Sequence, residues 1–396
     1  MEGYPTGKKV WGWKIPPRFE VKHATIRADG QALVGVKDHH LHLLNYSRPF
    51  RGTVSHSELM KHLYSNPELP DAIPFTFRFY EETWGTCIPH SWRPRFKHKE
   101  YEIDIDVSLE SGSLNVFYDF LPGQNKETFI ICSNICHPTQ VNDSLTSVAV
   151  GADIIARLGQ LKSRKYSYLF LAVPEVIGSI AFLSHHPEII QNSIGGFFSE
   201  MLGTPGPMVG QKTRAGDTYF DFLLEQHLVE SKLPHSFVPF LKSASNDEKV
   251  LDSPGVEIPT FSITRYPYPE YHSSEDNLKI IGLNQVRESR NVLQNTINDL
   301  ENEYIPKLRQ PGPIFLSGYG LYPNWREDPE LYDLCLSFGE IMPALDGKLS
   351  VLEIAKKANC SPKSVFYWCD KFHEKNLLEK SDFTLKRTNL TALASK

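Results

Sequence analysis

A histidine and an aspartate stand six residues apart in a loop between a predicted strand and a predicted helix. His137 and Asp143 follow the apolar segment 128–133 and precede a helix predicted over 144–159 from its i, i+3, i+4 apolar spacing. A neutral imidazole and a carboxylate are ligand types that Zn²⁺ accepts. The C-terminal end of a strand is where open α/β sheets build their sites. We therefore expect His137 and Asp143 to be metal ligands.

Two more predicted strand ends carry residues of the same kind. Glu175 follows Pro174 after the predicted strand 166–173, and His272 is followed four residues later by Asp276. A carboxylate at Glu175 suits a general base, whereas His272 suits a third ligand whose imidazole Asp276 would orient. A glutamate at a helix start and an Asp-capped helix with an incidental histidine remain the alternatives. Together the strand ends indicate a metal-dependent amide hydrolase.

Other acidic residues are candidates of a weaker kind. Glu200 follows the predicted strand 194–199 and could be a metal ligand or a surface glutamate. Asp247 and Glu248 could bind a substrate amine or form a solvated loop pair. Cys132 and Cys136 have a spacing found in zinc sites, but Cys132 lies inside a strand, so we interpret both as structural cysteines.

Strands and helices alternate over much of the chain, which predicts an α/β fold with a mainly parallel sheet covered on both faces. The predicted strands are 114–120, 128–133, 166–173, 194–199 and 259–264, and the predicted helices are 144–159, 178–185, 216–231 and 283–303. Residues 311–344 are predicted to be a linker followed by one helix near 328–341. The tail predicts two helices, 349–358 and 361–375, and a β-hairpin, which together indicate a winged helix-turn-helix.

Composition and charge argue against a polyelectrolyte or membrane partner. The 396 residues carry a net charge of -5, and residues 346–396 hold ten basic and six acidic side chains, too few basic groups for a typical DNA-binding tail. Nucleic acid is therefore an unlikely partner, and the tail is better suited to docking or dimerisation. Because the N-terminus lacks a signal peptide and no apolar run approaches ~18 residues, we expect a cytoplasmic protein without a membrane span.

The candidate residues occur in the order found in zinc-dependent exopeptidases of the bacterial leucyl aminopeptidase type, which this sequence resembles. Further motifs resemble a family of bacterial aminopeptidase-like proteins associated with surface-polysaccharide or specialised-metabolite gene clusters. These motifs are Pro5-Thr6-Gly7 with Trp13 and Ile15-Pro16, Trp84-Gly85-Thr86-Cys87, Ile135-Cys136-His137-Pro138, Ser253-Pro254-Gly255 and Glu270-Tyr271-His272. The resemblance covers nearly the whole chain.

The resemblance implies a phosphorylase/hydrolase-like α/β sandwich with a small inserted β-rich domain and a C-terminal winged helix. It implies an α/β domain of residues 1–46 and 107–310, an inserted domain of 47–106, a linker and helix at 311–344, and a winged helix at 345–396. It also implies a site with one base and four metal ligands, in which Glu175 is the base and the ligands are His137, Asp143, Glu200 and His272.

Two departures from the exopeptidase pattern bear on the number of metal ions. Those enzymes pair two adjacent glutamates, whereas this chain has Pro174 before Glu175, and they carry an aspartate where this chain has Thr139. Glu175 can therefore be a base or a ligand of a second ion, but hardly both. We expect one zinc ion rather than two.

The sequence thus predicts a zinc hydrolase that cleaves an amide beside a free amine, as an aminopeptidase or a small-molecule amidase, and a biosynthetic pathway is the expected setting. Tyr271 joins Asp247 and Glu248 as an expected substrate-binding residue. The Trp- and Phe-rich segment 66–96 is expected to overhang the site and restrict it to small substrates. The alternative is a non-catalytic protein that binds an amine-bearing ligand, with a homo-oligomer or protein partner docking on the tail.

Overall fold

An eight-stranded mixed sheet lies at the centre of the fold, in a computed structural model that describes residues 1–79, 81–323 and 330–387. The strands are, in chain order, β1 (Glu2–Pro5), β2 (Lys9–Val10), β3 (Trp13–Lys14), β4 (Arg18–Ala28), β5 (Gln31–Gly35), β6 (Phe50–Ser55), β7 (Leu63–Tyr64), β8 (Thr86–Cys87), β9 (Glu100–Glu110), β10 (Ser113–Leu121), β11 (Thr128–Asn134), β12 (Ser167–Val173), β13 (Ser193–Ser199), β14 (Met208–Gln211), β15 (His235–Val238), β16 (Thr260–Thr264), β17 (Tyr304–Leu308) and β18 (Leu378–Asp382). The α-helices are α1 (His56–Leu59), α2 (Thr146–Gln160), α3 (Ile177–His185), α4 (Pro187–Asn192), α5 (Tyr219–Glu230), α6 (Glu248–Leu251), α7 (Leu283–Asn302), α8 (Glu330–Leu336), α9 (Phe338–Ile341), α10 (Val351–Lys357) and α11 (Pro362–Glu374).

The central sheet has the strand order β1-β10-β12-β11-β13-β16-β14-β15. Its strands β12, β11, β13 and β16 run parallel to one another, β10 and β14 run antiparallel to their inner neighbours, and β15 runs parallel to β14. Because parallel strands end at one edge, the loops after β11, β12, β13 and β16 meet there. The predicted parallel sheet is thus confirmed at its centre, while its flanks are antiparallel.

Both faces of this sheet are buried. Phe129 and Ile131 pack in the layer that contains α2, α5 and α7, whereas Ile130 and Cys132 pack in the opposite layer with α3. This follows from the two-residue period of side chains along a strand. The alternation of strands and helices in the sequence predicted this covering.

A second, four-stranded antiparallel sheet has the order β5-β4-β9-β6. The sequence places the start of the inserted domain at residue 47, but β4 pairs with β9 from Arg18 opposite Glu110 to Arg27 opposite Glu102. The sheet therefore begins at Arg18, and the predicted boundary falls inside it. The alternation of apolar residues in β4 identified a strand but could not identify its partner, because the paired residues lie 75 to 92 positions apart in the chain. The division into domains otherwise stays a prediction.

The C-terminal helices α10 and α11 pack into the core of the central unit, where Val351 and Trp368 are buried. The predicted hairpin is not formed by its expected strands, because β18 pairs antiparallel with β17. The single helix expected near 328–341 is the two helices α8 and α9, and residues 328–329 of that prediction lie outside the described residues. Residues 388–396 of the predicted winged helix also lie outside them. Within the described ranges, no helix has the length and apolarity to cross a membrane.

Candidate metal centre

Two histidines and an aspartate converge at the edge where the central parallel strands end. His137 and Asp143 lie in the loop after β11, and His272 lies in the loop after β16. One ligand atom of each residue lies within 4.8 Å of those of the other two, the arrangement expected of a metal site. Asp143 Oδ2 lies 3.3 Å from Nε2 of His137 and 3.3 Å from Nε2 of His272. Three of the four predicted ligands are therefore brought together.

The backbone around His137 fixes the orientation of its ring. The N–H groups of Cys136 and His137 both donate to Gln140 Oε1, at 3.0 and 2.9 Å. The imidazole Nδ1 lies 2.9 Å from the carbonyl oxygen of Pro138. Because a carbonyl can only accept, Nδ1 carries a proton, which makes Nε2 the ring nitrogen that a metal ion would bind. Gln140 was not identified from the sequence, since a glutamine in a loop carries no pattern of its own.

This donor set fits zinc. Ligand atoms bound about 2.0–2.1 Å from a tetrahedral Zn²⁺ lie about 3.3 Å from one another, which matches the Nε2–Oδ2 separations of 3.3 Å around Asp143. Burial raises the pKa of Asp143, but its contacts with His137 and His272 outweigh burial, so the pKa lies below its ordinary value. Asp143 is therefore an ionised carboxylate, the form that binds a metal.

Asp276 supports the site through the backbone of the β11 loop. Its Oδ1 accepts the N–H of Asn142 at 2.6 Å, and its Oδ2 accepts the N–H of Asp143 at 3.1 Å and the hydroxyl of Tyr268 at 2.7 Å. The sequence predicted that Asp276 orients the imidazole of His272. In the structure this carboxylate instead holds the backbone of Asp143, because the chain turns between His272 and Asp276 and their side chains have different partners.

Glu175 lies at the first position of a tight turn after β12. The N–H of Ile177 donates to the carbonyl of Glu175 at 2.7 Å, and Val176 between them has φ 64° and ψ −59°. These angles define a γ-turn, a rare and strained conformation that costs most for a β-branched residue such as valine. The side chain of Glu175 is solvent exposed at the site.

The carboxylate of Asp247 stabilises this turn through hydrogen bonds. Its Oδ1 accepts the N–H of Val176 at 3.1 Å and the hydroxyl of Ser179. Burial, followed by the nearby charge of Glu175, raises the pKa of Asp247 to about 7. Asp247 was expected to bind substrate, but its side chain is 0% exposed and supports the backbone next to Glu175 instead.

Glu200 and Glu248 are also buried and engaged by the protein. Glu200 accepts a hydrogen bond from the amide of Asn246, and Glu248 accepts one from Gln211 at 2.8 Å. Burial raises the pKa of Glu200 well above its usual range, and the charge of Asp143 adds to this effect. Glu200 is not one of the three clustered ligands, and Glu248 lies in the interior rather than at a surface open to substrate.

Aromatic rings enclose the two histidines. Tyr271 stacks on His272 with ring centroids 3.9 Å apart, and Phe75 stacks on His137 at 4.5 Å and meets His272 edge-on at 5.4 Å. Phe75 belongs to the segment 66–96 that was expected to overhang the site, and its contacts with both histidines place part of that segment over the cluster. The sequence could not single out Phe75 among the aromatic residues of that segment.

Charges around Glu175 set its proton affinity. Burial raises the pKa of Glu175 above its ordinary value. The positive charge of Lys249 lowers this pKa, and the negative charge of Asp143 raises it further. A base with a pKa closer to neutrality transfers protons more effectively. Lys249, which the sequence did not indicate, places a positive charge next to the candidate base and donates to the carbonyl of Ser245 at 2.7 Å.

Comparisons with known proteins identify the family and the fold. The family model described as Domain of unknown function (DUF4910) matches residues 1–303. A Clostridium acetobutylicum protein, provisionally named for polysaccharide biosynthesis and an aminopeptidase-like domain, is 30% identical over 386 residues, which cover 94% of this chain and 87% of that protein. A crystal structure from the same organism, provisionally named a peptidase, has a TM-score of 0.84 and 28% identity, covering 96% of this chain and 87% of its own.

A more distant solved structure supports the same fold. The zinc aminopeptidase BSAP from Bacillus subtilis has a TM-score of 0.56 and 12% identity, and the match covers 72% of this chain and 83% of that one. At this identity the similarity concerns the fold alone. The family model spans more than half of the chain, and the Clostridium acetobutylicum relative matches nearly all of it. The chain therefore belongs to the DUF4910 family and has an aminopeptidase-like α/β fold.

Proposed function

We propose that this protein is a zinc-dependent hydrolase that cleaves an amide bond beside a free amine, as an aminopeptidase or a small-molecule amidase. The observation that carries the proposal is the cluster of His137, Asp143 and His272 at the edge of the sheet, with an exposed glutamate beside it. The provisional name of the Clostridium acetobutylicum relative supports a substrate that belongs to a biosynthetic pathway.

The three clustered residues would hold one zinc ion, which polarises the scissile carbonyl and lowers the pKa of water toward ~7. A single ion is favoured because this chain has Pro174 and Thr139 where the exopeptidase pattern has a glutamate and an aspartate. Glu200, whose Oε2 accepts a hydrogen bond from Asn246, would be a further ligand only through its other carboxylate oxygen if that bond is kept.

The remaining steps belong to the chain's own residues. Glu175 would accept a proton from the attacking water and deliver it to the leaving amine. The γ-turn at Val176 keeps the Glu175 backbone in one position, so little entropy is lost when the carboxylate meets the water. Phe75 over His137 would exclude bulk water from one side of the cluster.

Metal content measured by plasma mass spectrometry, on protein purified without chelator, tests the metal site. We expect about one zinc ion per chain in the wild type and its loss in His137→Ala. Absence of zinc after incubation with the metal would contradict the proposal and favour a non-catalytic binding protein.

Hydrolysis of leucinamide and other aminoacyl amides tests the reaction. Glu175→Gln removes the base, and we expect it to lower kcat by roughly 10²–10⁴-fold at unchanged zinc content. Glu275→Gln is the matched control, because Glu275 is an exposed glutamate in the loop of His272. Equal kcat values for wild type and Glu175→Gln would remove Glu175 from the base role.

A further inference from the structure

A row of aromatic rings starts at the metal cluster and runs outward to Phe19 on β4 of the four-stranded sheet. Phe75, which stacks on His137, lies 5.7 Å from Phe77, and Phe77 lies 4.9 Å from Phe79 between ring centroids. The row continues to Tyr46 at 4.9 Å and from there to Phe19 at 5.2 Å. Consecutive centroid distances below 6 Å are in the range of favourable ring–ring contacts.

Phe77 and Phe79, the two rings that follow Phe75 in this row, are open to solvent. Phe75 is 8% exposed, whereas Phe77 is 41% and Phe79 is 46% exposed. Single exposed phenylalanines are common, but adjoining ones next to a site form the kind of apolar patch that binds ligands. Proximity to the histidine cluster therefore distinguishes these two rings from other exposed aromatics on the protein.

Arg78, which lies between Phe77 and Phe79 in the sequence, has its guanidinium engaged by the protein. The guanidinium of Arg78 donates to the carbonyl of Phe77 at 2.9 Å, pairs with Glu81 at 3.2 Å and lies 5.3 Å from the ring centroid of Tyr64. Its charge is thus already paired with Glu81, and the exposed apolar surface here is that of Phe77 and Phe79.

Backbone hydrogen bonds fix the row relative to the metal ligands. The N–H of Phe75 donates to the carbonyl of His272 at 2.7 Å, and the N–H of Ser274 donates to the carbonyl of Ile73 at 2.8 Å. The N–H of Ile73 also donates to Ser274 Oγ at 3.0 Å. Any ligand held at the histidine cluster therefore meets the inner end of the row at a constant distance.

We propose that Phe77 and Phe79 form a subsite for the apolar or aromatic side chains of an extended, amine-bearing substrate, on the far side of the scissile amide. The inference rests on the proposed function, since it assumes that the reacting amide lies at the His137–Asp143–His272 cluster. It names the substrate class as amides or short peptides with bulky apolar groups beyond the first residue.

Binding of peptides that cannot be hydrolysed tests the subsite independently of catalysis. The probes are leucyl-phenylalanyl-phenylalaninamide and leucyl-glycyl-glycinamide in which a methylene replaces the first carbonyl, titrated into the full-length, zinc-loaded protein by calorimetry. We expect the phenylalanine peptide to bind roughly 3- to 10-fold more tightly in the wild type. Phe77→Ala and Phe79→Ala should each remove most of that preference.

Phe120→Ala is the matched control, because Phe120 on β10 is also 41% exposed and lies outside the row. We expect it to keep the wild-type preference. Equal binding of the two peptides, or an unchanged preference in both Phe77→Ala and Phe79→Ala, would overturn the subsite. Preferential binding of a glucosamine amide over the phenylalanine peptide would overturn the apolar class. Because these probes report binding only, failure to hydrolyse leucinamide would count against the proposed function and not against the subsite.

Discussion

Replacing Asp276 with alanine should weaken both the fold and the metal site. The carboxylate of Asp276 accepts three hydrogen bonds, from the N–H groups of Asn142 and Asp143 and from the hydroxyl of Tyr268. All three donor residues are at most 7% exposed, so water cannot easily replace the carboxylate. Each buried donor left without a partner costs about 1–3 kcal/mol, and the losses are not additive. We therefore expect the free energy of unfolding to fall by about 3–5 kcal/mol.

Zinc affinity should fall as well, because the same backbone segment carries Asp143. Loss of a residue that orients a metal ligand typically lowers affinity by about 10–100-fold. Competition with a chromophoric chelator measures this affinity, and urea unfolding of metal-free protein measures the stability separately. Asp276→Asn retains one acceptor oxygen, so it should recover part of both losses.

Glu275→Ala provides the control, since Glu275 is the neighbouring residue and is exposed. It should leave zinc affinity and the urea midpoint unchanged. Wild-type zinc affinity in Asp276→Ala would refute the argument that this carboxylate positions Asp143. Equal losses in Glu275→Ala would show that the loop tolerates no substitution and that the specific hydrogen bonds are not the cause.

Three further predictions concern other parts of the chain. Burial opposes a charge on His227, but Asp299 at 3.0 Å and Glu230 at 3.4 Å raise its pKa to about 9. The contribution of protonated His227 to the free energy of unfolding is therefore complete below pH ~6.5 and is lost as the pH rises through about 9. Urea unfolding should therefore show His227→Gln less stable than wild type by about 2–3 kcal/mol at pH 6 and nearly equal at pH 10; a pH-independent difference would contradict this. Val176→Gly should relieve about 1–2 kcal/mol of backbone strain and leave the urea midpoint unchanged or higher. Because the turn is then free to change conformation, kcat should fall. An unchanged kcat would show that catalysis does not need the turn. A chain ending at residue 344 should lose the native circular dichroism signal or aggregate, because buried Trp368 and its neighbours complete the core; a soluble, zinc-binding truncated chain would contradict this.

The elements around the site were predictable because each has a strong local pattern. The predicted strand 128–133 is Thr128–Asn134, the predicted strand 166–173 is Ser167–Val173, and the predicted helix 283–303 is Leu283–Asn302. Fully buried strands are continuous apolar runs, and long amphipathic helices repeat their pattern over several turns. The convergence of His137 and His272 followed from these elements, since parallel strands end at a common edge.

Short strands and long-range pairings could not be predicted in this way. The strands β14 and β15 have four residues each, too few to show a period, and were missed. The pairing of β17 with β18 joins residues about 70 positions apart, so the sequence favoured a local hairpin instead. Likewise nothing in the sequence indicates that Phe75 meets His137, because Phe75 is held there by a hydrogen bond to the distant loop of His272.

Side-chain roles within the site were harder to predict than its location. Asp247 and Asp276 were expected to face a ligand or a ring, and each instead accepts backbone N–H groups of a loop that carries a reactive residue. Loops at the edge of a parallel sheet leave backbone donors without strand partners, and buried carboxylates satisfy them. A carboxylate that performs this task has the same residue type as a ligand, so the sequence does not distinguish the two.

Pro174 stands where the exopeptidase pattern has a glutamate, and it also shapes the turn after β12. An aspartate or glutamate at that position would add a carboxylate beside Glu175, whereas Pro174 leaves Glu175 as the carboxylate at the end of β12. Its carbonyl accepts the N–H of Gly178 at 2.8 Å, which closes the start of α3 around the γ-turn. Glu175 therefore has no adjacent carboxylate with which to share the roles of base and metal ligand. This absence is the ground on which we propose one ion and a mechanism in which Glu175 serves as base rather than as ligand.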